Sequence, residues 1–114
     1  MAAVAHSLGD CELDDRRPEA AAAHYRTAIV EGARLGSPLL LANALGGVAA
    51  ITAERGDGGI AARLWSAARA LERDAGHPLL GESERRRYEP RLGDVEMVDV
   101  APDDALQLAS AYLD

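Results

Sequence analysis

The stretch Gly36-Ser37-Pro38-Leu39-Leu40 returns 40 residues later as Gly76-His77-Pro78-Leu79-Leu80. Three further positions match at the same offset: Ala21, Tyr25 and Ala28 return as Ala61, Trp65 and Ala68. A fixed period of this size indicates a solenoid of small helical hairpins, because one hairpin cannot bury its apolar face alone. Such folds mostly present binding surfaces, so the repeat predicts a binding role rather than catalysis.

The composition fits one ordered domain with an acidic surface. Of the 114 residues, 48% are hydrophobic, and the net charge is −7. All 12 basic residues are arginine, and residues 93–114 contain six acids and no base. A chain with this charge is poorly suited to nucleic acid or to an anionic membrane, so we expect neither as a partner. A basic or apolar protein partner fits better.

Several features predict a soluble cytoplasmic protein. No run of 18 apolar residues is present, so no membrane span is expected. The first six residues lack the charged start and apolar core of a signal peptide. Cys11 is the only cysteine, so an internal disulfide is excluded. We expect Cys11 to be a small core residue.

Start and stop signals predict an all-α fold. Gly36 suits a left-handed helix end, Ser37 an N-cap and Pro38 a first helical position. A fifth helix begins at Pro78 or, because Gly81 interrupts the pattern, near Ser83. The first four predicted helices cover about 2–14, 18–35, 38–55 and 60–75. The fifth ends near Pro90 or Leu92, and a last helix begins at Pro102.

Apolar spacing predicts which helix faces are buried. The first helix has Val4, Leu8 and Cys11 along one face, and we expect this face to point inward. Tyr25 and Trp65 are expected in the core as equivalent anchors of the two repeats. Residues 95–100 nearly alternate apolar with acidic, so they form either an edge strand that pairs with another chain or an extended connector.

Residues 2–35 and 42–75 resemble tetratricopeptide repeats. The motif's small or apolar positions are Ala5, Leu8, Gly9, Ala21, Tyr25 and Ala28, and then Leu45, Val48, Ala49, Ala61, Trp65 and Ala68. The resemblance implies an all-α, right-handed solenoid of antiparallel helix-turn-helix units within one domain over 1–114. It has two clear repeats and a degenerate third or capping unit at about 81–114.

A second resemblance is to the C-terminal helical-repeat region of large ATP-binding bacterial regulators of the LuxR class. The similar segments are residues 61–71, residues 84–89 and a closing helix that includes Asp103-Asp104-Ala105-Leu106. The ATPase and DNA-binding parts of that class are absent from these 114 residues. The resemblance therefore implies a regulatory or scaffolding surface, with neither ATP hydrolysis nor DNA binding. If the third unit caps the solenoid weakly, a homodimer is expected.

The tetratricopeptide resemblance also implies a site, because the first helix of each unit lines a concave groove in that family. The corresponding partner-binding residues here are His6, Asp10, Asp14, Asn43, Ala50 and Glu54. This surface is acidic and built of small side chains, so we expect it to bind an arginine-bearing peptide or a helix.

Other chemistry receives less support from the sequence. His6 and Asp10 have the i, i+4 spacing of a metal pair, but no third ligand is evident, and we expect no metal or other cofactor. No nucleophile, base and orienting group converge by spacing, so no catalytic residues are predicted. The main prediction is a non-enzymatic interaction module. The alternatives are a small-molecule-sensing regulatory domain and an accessory subunit of an enzyme.

Overall fold

Six α-helices span residues 2–113, the part of the chain that the computed structural model describes, with side chains from residue 5 onward. They are α1 (Ala2–Asp14), α2 (Pro18–Leu35), α3 (Pro38–Glu54), α4 (Gly58–Ala75), α5 (Glu82–Leu92) and α6 (Pro102–Leu113). The all-α prediction is confirmed for these residues. None of these helices combines the length and the apolar character needed to cross a membrane.

The junction between α2 and α3 follows the signals in the sequence. Gly36 ends α2 with a left-handed φ of +62°, a conformation that costs glycine little because it has no Cβ. The Ser37 hydroxyl accepts a hydrogen bond from the Leu40 amide at 3.3 Å, and Pro38 is the first helical residue. The cap and the proline together fix the start of α3.

The second copy of this motif has a different structure. His77 has no hydroxyl with which to cap a helix, and the amides of Leu79 and Leu80 donate to Glu72 Oε2 at 2.7 and 3.0 Å. Residues 77–81 are therefore not helical, and α5 begins only at Glu82. The later of the two predicted starts is the one observed.

Helix α3 lies at the centre of the molecule and contacts each of the other five helices. Every residue from 42 to 52 is buried. Helices α1 and α2 pack together, as do α3 and α4. Helix α5 packs on α3 and α1, whereas helix α6 packs on α4 and α2. Two helical pairs thus lie between α5 and α6, and the body measures 32 × 32 × 28 Å.

The inner face of α1 differs from the prediction. Leu8 is 44% exposed and Cys11 is also exposed, so the expectation that they face the core is wrong. Val4 lies outside the described side chains. Ala5, Gly9 and Leu13 face inward instead. A Cβ at Gly9 would lie 2.8 Å from Tyr25 Cε1, so α1 turns its smallest side chain toward the large ring on α2.

The predicted burial of Tyr25 and Trp65 is confirmed. Residues 95–100 form a connector, with Val95 and Val100 partly buried against the core. The Val98 amide donates to Ser66 Oγ at 2.9 Å. This segment therefore ties α6 to the body without a strand in the described chain.

Candidate functional site

The predicted groove between α1 and α3 is occupied by α5 of the same chain. Four of its six predicted residues are buried, and two are exposed. The buried ones are His6, Asp10, Asn43 and Ala50, and the exposed ones are Asp14 and Glu54. The structure brings these residues to one face of α1 and α3, but this face packs against α5.

Two glycines on α3 create the space for this packing. A Cβ at Gly46 would lie 2.8 Å from Tyr88 Cδ2, and a Cβ at Gly47 would lie 2.3 Å from Tyr25 Cζ. Both tyrosine rings are fully buried, one on each of these glycines. The small residues that suggested an open groove therefore accommodate two aromatic rings from the same chain.

The two tyrosine hydroxyls meet at Asp10. Tyr25 and Tyr88 donate to Asp10 Oδ1 at 2.6 and 2.5 Å. His6 Nε2 lies 3.1 Å from Asp10 Oδ2 and 3.3 Å from the Tyr88 hydroxyl oxygen. Arg87 Nη1 lies 3.4 Å from Asp10 Oδ2. We call these five residues the Asp10 cluster; it joins α1, α2 and α5.

The cluster favours one protonation state. Burial raises the pKa of Asp10, but hydrogen bonds from His6, Tyr25 and Tyr88 outweigh burial and hold that pKa below its ordinary value. Burial raises the pKa of Tyr25 and Tyr88, and the nearby Asp10 charge raises both further. Asp10 is therefore a carboxylate near neutral pH, and both tyrosines keep the protons that they donate to it.

Arginines from α5 engage the acidic rim of the predicted groove. Arg87 Nε donates to both carboxylate oxygens of Asp14, at 3.0 and 3.1 Å. Arg91 Nε lies 3.2 Å from Glu54 Oε1, and Arg91 Nη2 lies 3.7 Å from Asp14. These exposed pairs contribute little stability individually. The acidic residues of the predicted groove thus pair with the arginines of α5, a helix of the same chain.

Asn43 and Ala50 have packing roles in this arrangement. The Asn43 side-chain amide donates to the Leu39 carbonyl at 2.8 Å and to the Leu79 carbonyl at 3.4 Å. Asn43 thus links α3 to the segment that leads into α5. Ala50 is fully buried. Neither side chain is open to a partner while α5 is in place.

The structure also adds a possible third metal ligand that sequence spacing did not reveal. Ligand atoms of His6, Asp10 and Glu84 all lie within 4.8 Å of one another. Both oxygens of Asp10 already take part in hydrogen bonds or an ion pair, and the Arg87 cation lies 3.4 Å from one of them. A bound cation would have to displace these contacts and would be repelled by Arg87. The donor set therefore suits hydrogen bonding better than a metal.

Tyr88 and Arg87 belong to this site, although neither was predicted as a member. Helix α5 contains three consecutive arginines, Arg85, Arg86 and Arg87. Arg86 contacts Glu82 within the same helix, at 2.6 Å, whereas Arg87 reaches Asp14 on α1. One signal in the sequence could have indicated this contact. The same chain contains an acidic predicted groove and an arginine-bearing helix to which no packing face had been assigned.

A separate apolar groove lies between α2 and α6. Its volume is about 600 Å³, and its lining is mainly aliphatic: Ile29, Val30, Ala33, Leu106, Gln107, Ser110 and Ala111. Val30 is 58% exposed.

Comparison with protein-family models, with curated proteins and with solved structures found no match.

Proposed function

We propose that this protein is a non-enzymatic interaction module that binds a helical segment of a protein partner in the groove between α2 and α6. The observation that carries the proposal is the exposed apolar lining of this groove, in which Val30 is 58% exposed. Amphipathic helices commonly bind by laying their apolar side into an apolar groove. The groove between α1 and α3 is a poorer candidate, because Tyr88 and the α5 arginines already occupy it.

The repeat pattern supports a binding role. The α1–α2 and α3–α4 pairs, with Gly9 against the Tyr25 ring, fit a tetratricopeptide-like packing. We propose this arrangement, with α5 and α6 as the cap. The resemblance to helical-repeat regions of LuxR-class regulators suggests a regulatory or scaffolding role for the module.

The charge on the α6 side of the groove indicates the chemistry of the partner. Helix α6 opens with Asp103 and Asp104 in its first turn, and residues 93–114 contain no basic residue. A partner helix with apolar residues on one side and arginine or lysine beside them would satisfy both features. We therefore propose a basic amphipathic helix as the occupant.

The Asp10 cluster supports the non-enzymatic assignment. Asp10 is 5% exposed and both tyrosines are fully buried, so a substrate could not reach the carboxylate without movement of α5. Its donors and acceptors are used within the protein. The cluster is well suited to hold α5 in place.

The experiment places a photo-crosslinking amino acid at Ala33, in the groove, and as a control at Glu89, which is exposed on α5. A synthetic peptide that covers the segment crosslinked from Ala33 is then titrated into the purified chain by fluorescence anisotropy. We expect a basic peptide that becomes helical on binding. Val30→Asp should weaken its binding at least about tenfold, since a charge would be buried against apolar surface.

Ala23→Asp provides the matched control, because it introduces the same charge at an exposed position of α2 outside the groove lining. This variant should bind the peptide as the parent does. The proposal is wrong if the same segments crosslink from Ala33 and Glu89, if only a second copy of this chain crosslinks, or if Val30→Asp binds normally.

A further inference from the structure

A second cleft opens where the α1–α2 turn meets the C-terminal ends of α3 and α5. Its volume is about 560 Å³, within the range of small-molecule sites. Its apolar lining comes from Leu13, Pro18, Ile51 and Pro90, and its charged lining from Arg16, Glu54, Arg55 and Arg91. This cleft is separate from the α2–α6 groove.

The charge of this cleft is opposite to that of the chain. Three arginines and one glutamate line it, whereas the whole chain has a net charge of −7. Guanidinium groups beside apolar surface are the usual means of binding a carboxylate that has an apolar body. The local excess of positive charge therefore favours an organic anion over a neutral or cationic ligand.

Arg16 has a backbone conformation that its residue type disfavours. It ends α1 with a φ of +60°, while Gly36, Gly56 and Gly76 have positive φ at the ends of α2, α3 and α4. Two backbone hydrogen bonds close the turn: the Arg16 amide donates to the Leu13 carbonyl at 3.1 Å, and the Arg17 amide donates to the Glu12 carbonyl at 2.8 Å. Glycine would make this turn with less strain. The arginine side chain is therefore not needed for the turn itself.

The arginines in the cleft differ in how fully they are engaged. Arg91 donates to the Arg87 carbonyl at 2.5 Å and pairs with Glu54. The Arg55 guanidinium lies 5.9 Å from the centre of the Tyr112 ring and donates a hydrogen bond to the Tyr112 hydroxyl at 3.5 Å. Its ion pair with Glu19 is long, at 3.6 Å, and the Glu19 side chain is 84% exposed. Arg16 has no ion pair or side-chain hydrogen bond among the described contacts. Arg16 and Arg55 thus have capacity for a ligand.

We propose that this cleft binds a small organic carboxylate. The carboxylate lies against the Arg16 and Arg55 guanidinium groups, and its apolar body lies against Leu13, Ile51 and Pro90. Arg91 stays paired with Glu54 and closes one side of the cleft. This site does not depend on the proposed helix-binding function.

The test is a titration of the full chain with octanoate, followed by amide chemical shifts in NMR spectra. We expect saturable shifts around Leu13 and Ile51 at octanoate concentrations up to about 10 mM, a weak affinity accessible to this method. Octanamide has the same body without the charge and should bind about tenfold more weakly, as should inorganic phosphate, which lacks the apolar body.

Arg16→Gly separates binding from folding. It should weaken octanoate binding about tenfold by removing one charge-assisted contact, while its melting temperature stays equal to the parent's or rises, because glycine relieves the positive φ. Arg73→Ala removes an exposed arginine outside this cleft and should leave octanoate binding unchanged. The proposal is overturned if octanoate causes no saturable shifts at these residues, if octanamide or phosphate binds equally well, or if Arg16→Gly binds as the parent does.

Discussion

Replacement of Tyr88 by phenylalanine tests how α5 is held in the groove between α1 and α3. The change removes one hydroxyl from a fully buried side chain and keeps the ring that packs on Gly46. The lost hydroxyl donates to Asp10 Oδ1 at 2.5 Å and lies 3.3 Å from His6 Nε2. A hydrogen bond to a charged group contributes about 1.5–3 kcal/mol, so we expect the free energy of unfolding to fall by about this amount.

The size of this effect depends on what remains around Asp10. Tyr25, His6 and Arg87 still contact the carboxylate, so the variant leaves no isolated buried charge and should fold. A domain of this size has a total stability of about 5–15 kcal/mol. The loss is therefore measurable without abolishing the folded state.

Urea unfolding followed by far-ultraviolet circular dichroism gives the two free energies. Tyr112→Phe is the matched control. Its hydroxyl donates to Asp57 at 3.1 Å and accepts from Arg55 at 3.5 Å; both contacts are exposed, so the change should alter stability by about 0.5 kcal/mol or less. A Tyr88→Phe variant within about 0.5 kcal/mol of the parent would refute the assigned role of Tyr88. A double-mutant cycle with Asp10→Asn should show coupling between the two side chains.

Three further changes test the core and the charge network. Gly46→Ala should destabilise the protein by about 1–3 kcal/mol through overpacking against Tyr88, and the better helix propensity of alanine should offset at most about 1 kcal/mol of this loss. Gly59→Ala is the control: a Cβ there meets open space, so it should not destabilise the protein in the same urea assay. Trp65→Ala should cost about 3–5 kcal/mol; a thermal melt equal to the parent's would contradict its burial. The pKa values of Asp10 and Glu72 in the folded protein are lower than their ordinary values of 3.8 and 4.5. Each carboxylate therefore stabilises the fold fully at a pH above its ordinary pKa, and this stabilisation is lost as the pH falls through the lower folded-state pKa. Urea midpoints measured at decreasing pH should therefore decline in this acidic range, and a constant midpoint would contradict the prediction.

The helix boundaries were largely predictable because they depend on local chemistry. A left-handed glycine, a serine cap and a proline occur together at Gly36-Ser37-Pro38, and each acts within a few residues. The second copy of the motif diverged because His77 cannot cap and because the Glu72 carboxylate binds the Leu79 and Leu80 amides. The four residues that the two copies share did not indicate that only the first copy starts a helix.

The closure of the predicted groove could not be read from local patterns. It depends on Gly46 and Gly47, whose missing side chains leave room for two rings, and on Asp10, which binds both hydroxyls. Tyr88 comes from a helix 78 residues away from Asp10 along the chain. The spacing within α1 could place His6 and Asp10 on one face, but it could not reveal what packs against them.

The contact between the Tyr88 ring and Gly46 is the most direct test of the account that α5 fills the groove. A nuclear Overhauser measurement on the free chain should show close contact between the Tyr88 ring protons and the Gly46 α-protons, because a Cβ at Gly46 would lie 2.8 Å from Tyr88 Cδ2. The absence of this contact, together with fast amide exchange throughout α5, would show that the groove is open and would contradict the account.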